Sequence, residues 1–215
     1  MSDVLKILKL LSKQVKGYIV PSVTRIARKH DPYQVLVSCI LSLRTKDNTT
    51  IRASKRLFAV ADNPESMLKL TPGRIRELIY PVGFYRNKSR VILGLSRKLI
   101  DDYSGRVPSS LEALLELKGV GRKTANLVLG LGFGIPAICV DTHVHRISNR
   151  LGWVSTATPE ETEFSLWKII PRSKWIELNT LLVAFGQNLC FPVSPFCSRC
   201  SVYKFCRRIG VNKFR

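Results

Sequence analysis

Acidic residues are the scarce class in this sequence. Only 15 Asp and Glu stand against 35 Lys and Arg in 215 residues, a formal net charge of +20. Charge of that sign does not dictate a fold, but it selects anionic partners, with nucleic acid the leading candidate. Long apolar runs are missing too. The longest uncharged stretch, Thr124 to Val140, falls short of the roughly 20 residues that span a bilayer. Gly130, Gly132, Gly134 and Pro136 interrupt it, so it reads as a buried helix and its exit loop, and no membrane partner is expected. The first residues contain no secretory apolar core, because Lys6, Lys9 and Lys13 break it. Val4, Ile7, Leu8, Leu11 and Val15 recur there at helical spacing, the pattern of an amphipathic helix lying on the protein. Period-2 alternation is not sustained anywhere, which argues against a sheet. There is no low-complexity tract and no linker long enough to separate independent domains. An apolar content of 45% excludes a disordered chain.

Helix signals fill the space that strands leave. Asp31-Pro32, Asn63-Pro64, Thr71-Pro72 and Thr158-Pro159 each put an oxygen acceptor at the N-cap and a preset φ at the first helical position. Ser109 with Glu112, and Thr158 with Glu161, have capping-box spacing. Trp175, Leu178, Leu182 and Phe185 mark the apolar face of a late helix. The expectation is an all-α protein of about ten or eleven short helices, arranged as two helical lobes with a cleft between them.

Cysteine is not scarce. Cys39 and Cys139 lie in apolar surroundings and read as core residues. Cys190, Cys197, Cys200 and Cys206 are packed into 17 residues. Without a secretory leader, that packing favours metal ligation over disulfides. Four thiolates hold either tetrahedral zinc or a [4Fe–4S] cluster, and spacing by itself does not choose between them.

The most informative stretch is Leu117-Lys118-Gly119-Val120-Gly121-Arg122-Lys123-Thr124-Ala125. A helix over Leu111 to Leu117 ends, a Gly-x-Gly turn follows, and a second helix begins near Gly121. The turn lets a phosphate approach the backbone, and the unpaired amides of the new helix point at it with the positive dipole end behind them. Lys123 falls in the first turn of that helix. An amine must be neutral to act as a nucleophile, and both burial and a helix N-terminus disfavour its protonated form. Asp141 lies 18 positions further on, in VDTH. By itself it is also a good N-cap for a helix beginning at Thr142.

The hairpin, Lys123, Asp141 at that separation and the Cys190-x6-Cys197-x2-Cys200-x5-Cys206 pattern together resemble the helix-hairpin-helix and Gly-Pro-Asp glycosylases, and within them the endonuclease III family. The resemblance runs from about residue 20 to Cys206. It implies a two-lobed all-α DNA glycosylase fold with a C-terminal [4Fe–4S] cluster loop. One lobe is a six-helix body over residues 22–135, with the helix-hairpin-helix at about 111–133. The other combines residues 1–21 with 136–215. It implies Lys123 as the Schiff-base nucleophile and Asp141 as the catalytic carboxylate, with Gly119, Val120, Gly121 and Arg122 on a DNA phosphate. It also implies a [4Fe–4S] cluster on Cys190, Cys197, Cys200 and Cys206, with Arg199, Lys204, Arg207 and Arg208 close enough to meet phosphates. The segment Leu41 to Asp47 resembles the family's LSxQxxD loop and gives Arg44 a gap-filling or orphan-base role. Val82-Gly83-Phe84-Tyr85 resembles its Gly-Leu-Tyr loop and places Phe84 as a wedge. An aromatic residue anchoring the turn in the core is the competing reading for Phe84. His145 is taken as structural or phosphate-facing, and not as a metal ligand. The loop Phe191 to Phe196, FPVSPF, departs from the family in carrying no charge.

The implied activity is removal of oxidised or ring-saturated pyrimidines, such as thymine glycol, from duplex DNA, followed by lyase cleavage of the abasic site. The implied protein is a monomer and intracellular, in the cytoplasm or nucleoid of a prokaryote. A monofunctional mismatch glycosylase is an alternative, though such relatives usually lack a lysine at the position of Lys123. A non-catalytic DNA-binding module is another, to be separated by strand nicking at an abasic site. A redox carrier would suit an acidic docking protein better than one at +20.

Overall fold

A computed structural model describes residues 2–27 and 30–215. Among the described residues the regular structure is helical throughout, with twelve α-helices of five to nineteen residues. The chain divides into two compact units, Ser22–Ile135 and the residues up to Pro21 together with Pro136–Arg215.

The Ser22–Ile135 unit is built around one helix that is apolar on every side. In α3 (Pro32–Ser42), Val35, Leu36, Val37, Cys39, Ile40 and Leu41 are all at most 2% exposed. A helix apolar all round has to be surrounded. Here α2 (Ser22–Ile26), α4 (Asp47–Phe58), α7 (Tyr85–Tyr103) and α9 (Arg122–Leu127) pack on it. The short helices α5 (Pro64–Leu68) and α6 (Pro72–Ile79) lie against α7, and α8 (Leu111–Leu115) leads into α9. The buried stretch that begins at Thr124 widens after Leu127 into π-helical turns over Val128–Gly132.

The caps followed by proline form as read. Asp31, Asn63, Thr71 and Thr158 each accept a backbone N–H three residues on, from Gln34, Ser66, Arg74 and Glu161. Each such cap contributes about 1 kcal/mol. Two details differ from the reading. The cap of α8 is Ser110, which accepts from the Ala113 amide, and not Ser109. The Glu161 carboxylate reaches back past the N-cap to the Ala157 amide, one residue upstream of a standard capping box.

In the other unit, the amphipathic face of α1 (Ser2–Gln14) is buried through Ile7, Leu8 and Leu11. They join Val144, Ile147 and Leu151 of α10 (Thr142–Leu151), Leu166 of α11 (Pro159–Ile169), and Leu178, Leu182 and Phe185 of α12 (Trp175–Asn188) in one core. Gln14 ties α1 to the cysteine segment, donating to the Arg199 carbonyl and accepting from the Ser201 amide and hydroxyl. No helix among the described residues is long and apolar enough to cross a membrane.

Candidate functional site

The hairpin places its glycines in two different conformations. Gly119 sits at φ +86, left-handed, and a Cβ there would lie 2.9 Å from Val91 Cγ1. Both facts demand glycine. Gly121 is the N-cap of α9 at φ −100 and ψ 175, and a Cβ there would meet nothing within 4 Å. Its open backbone is therefore not a requirement of the fold. Val120 is the hairpin's anchor, 7% exposed, with its amide on the Leu117 carbonyl. Gly121 has no side chain to cap the amides of α9, so the first amides of the helix lack a side-chain acceptor at the N-cap.

Lys123 is the second residue of α9 and is exposed, with Arg122 half-buried before it. The burial invoked for Lys123 in the sequence is not supplied within this unit. Lys123 keeps only its place in the first turn of the helix. Beneath it lies Cys39, fully buried on α3. Burial pushes that thiol up to about 12, with the Lys123 charge pulling the other way. Such a thiol is inert packing.

Asp141 caps α10, the bland role open to it, and the cap is strongly made. Its Oδ1 accepts from the His143 and Val144 amides, both at 2.9 Å. Its Oδ2 takes no hydrogen bond among the described residues, so the helix fixes the carboxylate while one oxygen stays uncommitted. His145 bonds through Nδ1 to Thr162 Oγ1 at 2.7 Å, which fits the structural reading.

Arg44 and Phe84 stand together at the tips of two loops of the Ser22–Ile135 unit, the Arg44 guanidinium carbon 5.6 Å from the Phe84 ring centre. Phe84 is 62% exposed, so the ring does not anchor the turn in the core. Both residues have positive φ, 51° and 57°.

Cys190, Cys197, Cys200 and Cys206 line one cavity, walled by Ile147, Leu151, Phe185 and Leu189. All four are free thiols. Among the described residues no group of three or more His, Cys, Asp or Glu side chains is gathered to hold a single metal ion. Burial raises the Cys197, Cys200 and Cys206 thiols, Cys200 to about 11, and the neighbouring sulfurs push each of them further up. N–H donors nonetheless aim at sulfur. Arg150 reaches Cys190 Sγ at 3.4 Å, and the Arg208 amide reaches Cys206 Sγ at 3.4 Å. A donor set of four crowded thiols with N–H groups on the sulfurs fits a thiolate-ligated cluster.

Sequence reasoning missed what holds the cysteine loops. Arg150 is 7% exposed and bonds the Phe191 and Pro192 carbonyls, and Arg146 bonds the Cys190 carbonyl. Their positions on α10, four apart and facing the core, were the available signal. Arg207 and Arg208 are partly engaged within the unit. Arg207 packs against Gly152, and Arg208 lies over the Tyr203 ring. Arg199 and Lys204 are exposed. The uncharged FPVSPF loop is flanked by cations from elsewhere, with the Arg199 and Arg215 guanidinium carbons 5.3 and 4.0 Å from the Phe196 ring centre.

Comparison with known proteins gives a consistent set. The profile of the HhH-GPD superfamily of base excision DNA repair proteins matches residues 37–172. Endonuclease III of Thermotoga maritima is 50% identical over 199 residues, covering 90% of this chain and 93% of that protein. The chloroplastic endonuclease III homologue 1 of Arabidopsis thaliana is 44% identical over 81% of this chain, which spans 48% of its length. A solved non-covalent complex of endonuclease III with DNA superposes with a TM-score of 0.86 at 35% identity, over 96% of this chain and 95% of that one. A trapped covalent intermediate of endonuclease III with DNA gives 0.84 at 33%, with the same coverage of both chains.

Proposed function

The chain belongs to the HhH-GPD superfamily of base excision DNA repair proteins, and on that premise we propose that it is a DNA glycosylase and abasic-site lyase acting on duplex DNA, with Lys123 and Asp141 as its catalytic pair. The observation that carries the assignment is Lys123 itself, exposed in the first turn of the helix that follows the Gly119–Gly121 turn. A relative whose covalent DNA intermediate has been trapped shares the fold at 33% identity.

The residues divide the chemistry. The Gly119–Gly121 backbone and the N-terminus of α9 take a phosphate and set the register of the strand. The neutral Lys123 amine attacks C1′ as the N-glycosidic bond breaks, and its electrons leave with the base. The sugar gains positive charge in the transition state, and the uncommitted oxygen of Asp141 stabilises it. The attached nitrogen gives up one proton and O4′ takes one up as the ring opens, which leaves a protonated Schiff base. Loss of a C2′ proton then expels the 3′ phosphate by β-elimination, and water releases the amine. Resemblance to endonuclease III favours ring-saturated and oxidised pyrimidines as the substrates. Cys190, Cys197, Cys200 and Cys206 would hold a [4Fe–4S] cluster, which when bound cross-links the segment after α12.

The test is incubation with a duplex carrying one thymine glycol in the presence of borohydride. A nicked strand and a trapped adduct are expected from the intact protein, and no adduct from Lys123→Gln. An adduct that persists in Lys123→Gln removes Lys123 as nucleophile. Nicking of an abasic duplex alone keeps Lys123 and changes the substrate. Iron and sulfide analysis of anaerobically purified protein checks the cluster, and zinc without iron overturns it.

A further inference from the structure

Arg44 and Phe84 hold left-handed backbone angles that side-chain-bearing residues adopt only when their surroundings impose them. The surroundings here are few and specific. The Gly83 amide donates to Thr45 Oγ1 at 3.1 Å, binding one loop to the other. A Cβ on Gly83 would lie 2.5 Å from the Arg44 carbonyl oxygen, so the two backbones are in direct contact. Under both loops lies Lys88, on α7 four residues beyond Phe84 and only 5% exposed. Its ammonium donates to the Leu41 carbonyl at 2.9 Å, to the Leu43 carbonyl, and to Thr45 Oγ1 at 3.2 Å.

Three donors thus meet three acceptors, all on the segment that carries Arg44. No carboxylate pairs with this ammonium among the described residues. Burying an unpaired cation is costly, and the cost registers as an ammonium pushed down to about 8 by burial. An apolar side chain would pack α7 equally well without that cost. What it could not do is hold three oxygens of the neighbouring loop at fixed positions.

We propose that Lys88 is a positioning residue that locks Arg44 and Phe84 into one rigid two-pronged probe, and that this rigidity sets the rate at which a damaged nucleotide is extruded. The second half rests on the glycosylase reading. The first half does not. Extrusion needs a group that enters the stack as the base leaves it, and a loop free to relax would yield to the stack instead.

The experiment compares the cluster-loaded full chain with its Lys88→Met variant. Amide hydrogen exchange should quicken over residues 42–46 and 82–85 together, and nowhere in Pro136–Arg215. Single-turnover cleavage of a thymine glycol duplex should fall about ten- to a hundredfold, the range for losing a charged hydrogen-bond donor. Cleavage at a preformed abasic site, where no base has to leave the stack, should fall much less. In an Arg44→Ala/Phe84→Ala background, Lys88→Met should cost nothing further. Unchanged exchange in either loop, equal losses on both duplexes, or additive losses in that background would each overturn the proposal. If Lys88→Met does not fold, Thr45→Val removes the acceptor shared by Lys88 and Gly83 and is held to the same outcomes. If the unsubstituted chain cuts neither duplex, the glycosylase reading falls, and the exchange measurement alone decides the locking.

Discussion

At the residue scale the glycines of this unit separate fold from function. Gly83 is demanded by a backbone approach, whereas a Cβ on Gly121 would meet none of the described residues within 4 Å. Gly83→Ala should therefore cost about 1–3 kcal/mol, as an overpacked contact does, read as a lower denaturant midpoint. Gly121→Ala should leave the midpoint unchanged or raise it by up to about 1 kcal/mol through the unfolded chain. Its affinity for an abasic duplex should nevertheless fall, because the new methyl occupies the space through which a phosphate approaches the amides of α9. Unchanged affinity, measured by anisotropy, would remove the hairpin from the DNA contact. The hairpin was legible in sequence because its determinants are local, a run of nine residues. Lys88 was not. It sits in GFYRNKS at a position indistinguishable from a surface lysine, and its acceptors are more than 40 residues away in the chain. Lys123 was placed by the same local signal, but its exposure depends on packing that no local pattern encodes.

At the element scale, α10 joins two tasks. Its first turn is fixed by Asp141, and its inner face presents Arg146 and Arg150 to the cysteine segment. Among the described residues, Arg150 is the single donor bridging Cys190 Sγ and the Phe191 and Pro192 carbonyls. Arg150→Met keeps the length of the side chain and leaves those acceptors without a donor, at a cost of about 1–3 kcal/mol for a buried unsatisfied group. The expected result is a lower thermal midpoint and less iron retained per chain after gel filtration. Retention of both would show that the loop is held by its own turns. The helix starts were legible because a cap and a following proline are a local physical signal, correct at Asp31, Asn63, Thr71 and Thr158. The missed cap, Ser110 instead of Ser109, shows its limit. Both serines can accept, and the choice is made by where Leu114 reaches the core.

At the scale of the whole molecule, the net charge of +20 becomes a statement about salt. Cations that neutralise phosphates release counterions, so affinity falls linearly in log–log form with salt concentration, by about 10³–10⁵ between 50 and 200 mM for six to ten contacts. The FPVSPF loop contributes no charge of its own. Arg215 brings one to it, with its Nε on the Ser194 carbonyl, its amide on the Pro195 carbonyl and its guanidinium over Phe196. Arg215 remains exposed while so anchored. Sequence could show that the loop was neutral, but not that a residue about twenty positions later would fold back onto it. If this borrowed charge meets a phosphate, Arg215→Ala should weaken binding to every duplex alike and lower the salt slope by about 1. A weaker affinity with an unchanged slope would mean that Arg215 acts by ordering the loop. No change in either would place the loop away from the DNA, leaving the phosphates to the α9 hairpin and the remaining basic surface.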